Sequence, residues 1–275
     1  MQELTLISGD TIPQLGLGTW PLKGDEGARV IAKALEMGYR HLDTAVFYGN
    51  HHSVGQGIRD AAVDRDEVFV TSKVWPDKLA YDDVLSECER SLKELGLQTL
   101  DLLLIHWPSQ TVPLEETLRA YAHLREEGKI RHAGVSNFTA ARLGRAIDAD
   151  IVPIEVNQVE YHVYLNQQKL LDFCRSRGVV LTAYAPLAKG RAAGDELLRE
   201  IGRAYRKAPA QVALRWLVQK GICVIPKSSN EEHLRQNMDI FDWSLTEEDV
   251  QRIEADLPQT RLFDWEQGEF EEDED

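Results

Sequence analysis

Eight short apolar runs, each followed by a longer stretch, constrain this chain more than any other feature. They cover residues 15–17, 39–42, 68–72, 101–105, 132–135, 154–156, 179–183 and 222–225. Each is brief and almost continuously apolar, the pattern of strands buried on both faces. Several of the intervening stretches place apolar residues three and four apart. These are Val30, Ile31, Ala34 and Leu35, then Val84, Leu85, Cys88, Leu92 and Leu95, then Leu114, Leu118, Tyr121 and Leu124. Leu170, Leu171 and Cys174 follow, and then Val212, Ala213, Trp216 and Leu217. Such spacing predicts helices with one buried face. Gly38, Gly96, Gly128, Gly178 and Gly221 stand where those helices should stop. Eight strand–helix units without a long linker predict a (β/α)8 barrel, one domain over residues 1–275. The competing arrangement, an open doubly wound sheet, would carry Gly-x-Gly-x-x-Gly after its first strand. Gly16-Leu17-Gly18-Thr19-Trp20 lacks the third glycine and opens no helix. Residues 4–7 and 11–13 flank a Gly-Asp turn and predict a β-hairpin at the bottom of the barrel.

Composition excludes several classes. A net charge of −15 over 275 residues repels nucleic acid and anionic membrane surfaces. No run of about 18 apolar residues is present, so no membrane span is expected. The first residues lack a basic segment followed by an apolar core, so no signal peptide is expected either. Cys88, Cys174 and Cys223 lie far apart, which predicts no disulfide framework, no zinc site and a reducing cytoplasmic setting. Arginine outnumbers lysine 20 to 11. A solvated acidic surface explains the charge, and adaptation to high salt would produce the same composition. Residues 264–275, of which eight are acidic, predict a poorly ordered tail.

Barrel enzymes carry their chemistry at the C-terminal ends of the strands. The second predicted strand ends at Asp43 with Tyr48 just beyond. The third runs into Lys73, and the fourth into His106 and Trp107. A free phenol has a pKa of about 10 and is a weak acid near neutrality. A nearby ammonium stabilises the phenolate, and a carboxylate beside that ammonium keeps it charged and aimed. Together they make a usable proton donor to a developing alkoxide, and His106 could orient the carbonyl. Singly, each residue has an ordinary explanation: an ion-pair partner, a helix cap, a rim aromatic, a core histidine. Their coincidence at three successive strand ends points to a site. A metal centre built from Asp43, His106, His132 and Glu155 is the other arrangement to weigh. No His-x-His follows the first strand, and His51 and His52 are adjacent, off a common helix face. No metal is expected.

These residues are similar to those of the aldo-keto reductases over essentially the whole chain. The matching pieces are Gly16-Leu17-Gly18-Thr19-Trp20, residues 41–50 (His-Leu-Asp-Thr-Ala-Val-Phe-Tyr-Gly-Asn), Thr71-Ser72-Lys73-Val74-Trp75 and residues 101–108. Gly134-Val135-Ser136-Asn137-Phe138, Glu155-Val156-Asn157-Gln158, Ile225-Pro226-Lys227-Ser228 and Asn237 complete the set. The chain resembles most the 2,5-diketogluconate and methylglyoxal reductases. The resemblance implies NAD(P)H-dependent reduction of small aldehydes and ketones with the tetrad Asp43, Tyr48, Lys73 and His106, Tyr48 being the general acid. It implies that Ser136, Asn137 and Gln158 hold the nicotinamide carboxamide and that Tyr184 stacks under the ring. Thr19, Leu187, Lys227, Ser228, His233 and Asn237 are implied along the rest of the cofactor. Trp20 and Trp107 would wall an apolar substrate pocket, with Trp75 assigned to packing. A monomer is implied.

Three departures from the family pattern stand out. His233 replaces the arginine that grips the adenosine 2′-phosphate. A mostly neutral imidazole offers no bidentate fork, so NADH is expected to serve beside NADPH. Ala185 replaces a serine near the pyrophosphate, leaving backbone amides around Leu187. His51 replaces a glutamate that would sit near the active-site rim. The phosphate end also has a direct physical reading. Lys227, Ser228 and Ser229 lead into a helix over residues 231–237, with Ser229 and Glu232 as its capping box, and such a helix start suits an anion. The pocket loops, 76–81, 109–113 and the tail after Leu262, are short and predict an open mouth, with Trp265 or Phe270 available to fold back. A nucleotide-binding regulatory or scaffold barrel with little turnover is the alternative reading.

Overall fold

The computed structural model describes residues 2–263. The acidic segment, with Trp265 and Phe270, lies outside the described residues. Strands β1 (Glu3–Thr5) and β2 (Thr11–Pro13) form the antiparallel hairpin, Leu4 opposite Ile12. The eight strands that follow are β3 (Leu17–Gly18), β4 (His41–Asp43), β5 (Phe69–Val74) and β6 (Leu100–Ile105), then β7 (Ile130–Ser136), β8 (Ile154–Glu160), β9 (Val180–Tyr184) and β10 (Cys223–Val224). They pair in parallel and in chain order. A parallel bridge between Leu15 and Val224 closes the ring, with Gly16 N donating to Val224 O at 2.8 Å and Val224 N to Gln14 O at 2.9 Å. The predicted (β/α)8 barrel is therefore present.

The hairpin plugs the barrel floor. Leu6 and Ile12 pack with Phe69, Leu102, Leu104, Val156 and Cys223. Polar contacts fix it there. Ser8 N donates to Glu155 at 3.2 Å, and His132 lies between Glu155 (2.8 Å) and Asp10 (3.4 Å). His132 and Glu155 thus serve the floor, whereas Asp43 and His106 belong to the opposite end, so the four residues weighed as a metal set do not converge.

The outer layer comprises α1 (Gly24–Met37), α2 (His51–Asp60), α3 (Tyr81–Leu95), α4 (Leu114–Glu126) and α5 (Ala140–Asp148), then α6 (Gln168–Ser176), α7 (Glu196–Tyr205), α8 (Pro209–Gln219), α9 (Glu231–Met238) and α10 (Glu247–Asp256). The five helices predicted from apolar spacing are α1, α3, α4, α6 and α8, and α5 and α7 also bury one face, through Leu143 and Ala146 and through Leu198 and Ile201. Helix α2 has few large apolar residues, Val54 and Ile58, and fills its buried face with Gly55 and Gly57, each costing a helix interior about 1 kcal/mol relative to alanine. Packing explains both. A Cβ on Gly55 would sit 2.1 Å from the Leu95 carbonyl oxygen, and one on Gly57 would sit 2.7 Å from Ile31. The helix lies close against α1 and α3, and glycine is what permits that approach. Gly55→Ala should therefore lower stability by about 1–3 kcal/mol, as overpacking does. The readout is the urea midpoint at unchanged m. Helix propensity alone would move the midpoint the other way.

Strand β8 runs well past the predicted 154–156. Asn157, Gln158 and Glu160 are polar yet buried, and they made the strand look as though it had ended. Most of their polar atoms find partners inside the fold: Asn157 Nδ2 donates to Phe138 O at 2.9 Å and Gln158 Nε2 to Asp43 at 2.7 Å, while Asn157 Oδ1 is buried without one. Among the described residues no helix is long and apolar enough to cross a membrane.

Candidate active site

The strand register brings the three strand ends together. Asp43 pairs with Thr71, so Lys73 stands two residues further up β5, and His106 N donates to Val74 O at 2.9 Å. Tyr48 closes a single 3-10 turn, Val46–Tyr48, stopped by Gly49 in the left-handed conformation at φ 58°. The loop is tied down by buried Asn50, whose Nδ2 donates to Thr19 O (3.0 Å) and Leu22 O (3.1 Å) while its Oδ1 accepts from Thr44 (2.7 Å).

Lys73 is wholly buried, with Nζ distributed over three acceptors. They are Asp43 Oδ1 at 2.5 Å, Thr44 O at 2.9 Å and the Tyr48 hydroxyl at 3.4 Å. Gln158 Nε2 donates to the other Asp43 oxygen at 2.7 Å. A buried ion pair persists only when its remaining valences are met, as they are here. Burial pulls the Lys73 ammonium below its usual pKa, and Asp43 opposes that shift. The sequence predicted a lowered phenol pKa at Tyr48. The structure gives the reverse direction: burial of the hydroxyl, with Asp43 adding, pushes it well above its ordinary value. Tyr48 is therefore protonated at neutral pH, the form a proton donor requires.

His106 stands edge-on to Tyr48, ring centroids 5.7 Å apart, and edge-on to Trp75 at 4.9 Å. Burial first, and the Lys73 charge second, hold its pKa well below the usual value, so the ring is neutral. Its Nδ1 is buried without a hydrogen-bond partner. A buried N–H with no acceptor is rare, whereas a bare nitrogen lone pair is tolerated. The proton therefore sits on Nε2.

Next to this group, Asn137 holds a left-handed backbone at φ 62°. Its Nδ2 donates to His106 O (2.9 Å) and Ser136 Oγ (3.1 Å), and its Oδ1 accepts from the Tyr184 hydroxyl (2.9 Å). Ser136, Asn137, Gln158 and Tyr184 thus form one polar wall at the ends of β7, β8 and β9. Thr19 also reaches the site, but its hydroxyl already donates to Asp43 O at 2.9 Å.

A cavity of about 1210 Å³ opens over these groups. Thr19, Trp20, Asp43, Tyr48, His106, Trp107, Ser136, Asn137, Gln158 and Tyr184 line it at one end; Leu187, Lys227, Ser228, His233 and Asn237 line it further along. Every predicted site residue except Lys73, which lies beneath the floor, reaches this cavity. Trp75, expected to be packing, lines it as well and stacks on Phe47 at 4.0 Å. At the far end the capping expectation is corrected. Asn230, not Ser229, caps α9, its side chain accepting from His233 N at 3.0 Å, while Ser228 Oγ accepts from Asn230 N at 3.0 Å. The expectation for His51 is also corrected. It is not at the rim but buried at the start of α2, bridging Glu94 (3.2 Å) and Ser72 (3.0 Å), and burial lowers its pKa to about 4. The replacement leaves the mouth untouched. Sequence reasoning missed Phe47, Lys189, Leu262 and Phe263, all of which line the cavity. Phe47 is adjacent to Tyr48 and could have been found; the others carry no local signal.

The chamber fits a dinucleotide. Its volume exceeds the roughly 300–1000 Å³ of a typical small-ligand site. It joins a polar end, with Tyr48 and His106, to an end with a lysine, a buried serine and a helix start, features that suit phosphate groups.

Comparison with known proteins agrees. The sequence model of the aldo/keto reductase family matches residues 14–257. A 9,11-endoperoxide prostaglandin H2 reductase of Trypanosoma cruzi (strain CL Brener) is 42% identical over 255 residues, 91% of this chain and 90% of its own. A glyoxal reductase of Bacillus subtilis (strain 168) is 42% identical over 252 residues, 91% of each chain. The crystal structure of a Bombyx mori aldo-keto reductase in complex with NADP superposes with a TM-score of 0.89 at 35% identity, covering 96% of this chain and 95% of that one. The chain belongs to the aldo/keto reductase family. It is an oxidoreductase that reduces carbonyl compounds, and its cofactor is NADPH.

Proposed function

We propose that this enzyme reduces small reactive aldehydes and ketones, of the methylglyoxal and 2,5-diketogluconate type, to alcohols, with Tyr48 as the general acid. The observation that carries the reading is the Lys73 ammonium shared by Asp43, the Thr44 carbonyl and the Tyr48 hydroxyl. A pure binding barrel has no need of that arrangement. NADPH, when bound, supplies the hydride that the carbonyl carbon accepts. Ser136, Asn137 and Gln158 would hold its carboxamide and Tyr184 its ring face, with Thr19 and Leu187 along its length. Lys227, Ser228, His233 and Asn237 would hold the phosphate end.

The chain's own groups then divide the work. His106 Nε2–H donates to the substrate oxygen and sets its direction. Tyr48 delivers a proton to that oxygen as negative charge builds on it. Lys73, held charged by Asp43, stabilises the phenolate left behind. Trp20, Trp107 and Trp75 enclose the carbon skeleton in apolar surface and exclude water, which strengthens each of these interactions.

Loss of NADPH absorbance with methylglyoxal, a diketo sugar acid and an aromatic aldehyde tests the reading. Turnover of the two small dicarbonyls above the aromatic aldehyde is expected. Absence of NADPH consumption with every carbonyl would overturn it. The same assay with NADH reads the phosphate end. Without a guanidinium fork at position 233, one or two charge-assisted bonds are lost, so the preference for NADPH should stay below about a thousandfold. A larger preference refutes the role given to His233.

A further inference from the structure

Glu160 ends β8 with no exposure to solvent, and the carbonyl chemistry makes no use of it. A buried carboxylate is costly unless its oxygens are hydrogen-bonded. Here three donors converge. His162 Nε2 (2.9 Å) and Leu262 N (2.7 Å) reach Oε1, and Phe263 N (3.0 Å) reaches Oε2. The His162 Nδ1 is buried without a partner, so its proton is on the nitrogen that faces Glu160. The other two donors are successive backbone amides from a segment about a hundred residues away in sequence, separations of 102 and 103.

That segment crosses the connection after β8. Thr260 N donates to Tyr164 O at 2.6 Å, and Gln259 Oε1 accepts from Asn166 N at 2.7 Å. It then reaches the active-site cavity, which Leu262 and Phe263 line. The Phe263 ring stands edge-on to Tyr184 at 5.4 Å, and Lys189 Nζ lies 4.0 Å from its centroid. Phe263 thereby joins the end of β9 to the turn at residues 188–194. Ala185, Ala188 and Lys189 hold left-handed backbones at φ 47°, 50° and 54°. Non-glycine residues adopt that conformation only when surrounding contacts impose it.

We infer that Glu160 is a positioning residue for cofactor retention. Its carboxylate anchors the Leu262–Phe263 amides so that Phe263 stays against Tyr184 and Lys189, and this wall slows the escape of NADPH. The inference rests on the dinucleotide reading of the same cavity, and the experiment separates the two. Stopped-flow fluorescence measures NADPH dissociation, and amide hydrogen exchange at Leu262 and Phe263 is followed without cofactor. Glu160→Gln keeps the side-chain shape but presents an NH2 group where one amide needs an acceptor. NADPH release should become about tenfold faster, the equivalent of one lost hydrogen bond to a charged group, and both amides should exchange faster. Phe263→Ala should speed release to a similar degree. The double variant should fall short of the product of the two, because both act through one wall. A purely structural Glu160 would lower the melting temperature and leave release unchanged, and that result overturns the inference. Should Glu160→Gln fail to fold, Phe263→Ala decides alone: faster release supports the wall, and the parental rate overturns it. A chain that fails to bind NADPH at all refutes the cavity reading instead.

Discussion

Tyr48→Phe is expected to lower kcat by about 10²–10⁴-fold, the usual worth of a positioned proton donor, with NADPH affinity nearly unchanged. The ring keeps its packing against Trp20 (5.3 Å) and His106 (5.7 Å), so the pocket stays the same shape. Only the hydroxyl is lost, and with it a 3.4 Å contact to Lys73 that contributes little to holding the ammonium beside Asp43 and Thr44. Single-turnover decay of NADPH fluorescence with saturating dicarbonyl isolates the step. A variant that turns over like the parent removes Tyr48 from the mechanism. The protonated ground state sharpens the expectation. Burial raises the phenol's pKa, so activity should not rise with pH as it would if a phenolate had to form first.

The second large effect concerns stability as well as rate. Lys73→Met leaves the Asp43 carboxylate buried, with Gln158 as its remaining side-chain donor. Breaking a buried pair from one side costs about 3–5 kcal/mol, because the surviving charge has no water to return to. The unfolding midpoint should fall accordingly, and turnover should drop with it. Removing both charges, in Asp43→Asn with Lys73→Met, should recover much of the stability and none of the activity. That divergence distinguishes a pair kept for chemistry from one kept for the fold. A Lys73→Met variant as stable as the parent would show that the ion pair is not enclosed.

Much of the site was readable because barrel topology converts sequence position into spatial position. Once eight strands alternate with helices, Asp43, Lys73 and His106 at successive strand ends must face one mouth, whatever the loops do. Ser136, Asn137, Gln158 and Tyr184 came instead from the resemblance to the aldo-keto reductases, and the structure sets them side by side near the ends of β7, β8 and β9. What stayed hidden is of another kind. Helix α2 is set by how closely α1 and α3 approach Gly55 and Gly57. His51 looked like a rim position, yet its side chain turns inward to Glu94 and Ser72. The reach of β8 depended on partners for Asn157, Gln158 and Glu160 that no local pattern announces.

The division has a physical basis. Apolar periodicity and strand-end placement are local properties, so the amino-acid sequence by itself determined the barrel and its floor hairpin, and it placed Asp43, Tyr48, Lys73 and His106 at neighbouring strand ends. Polar satisfaction is not local. A carboxylate accepts equally well from any N–H, and Glu160 bonds to the backbone of residues 262 and 263, groups that every amino acid except proline carries. Nothing in side-chain identity marks such a pairing. Only the tertiary structure decided which amides it holds, and so which segment closes the cavity beside Tyr184.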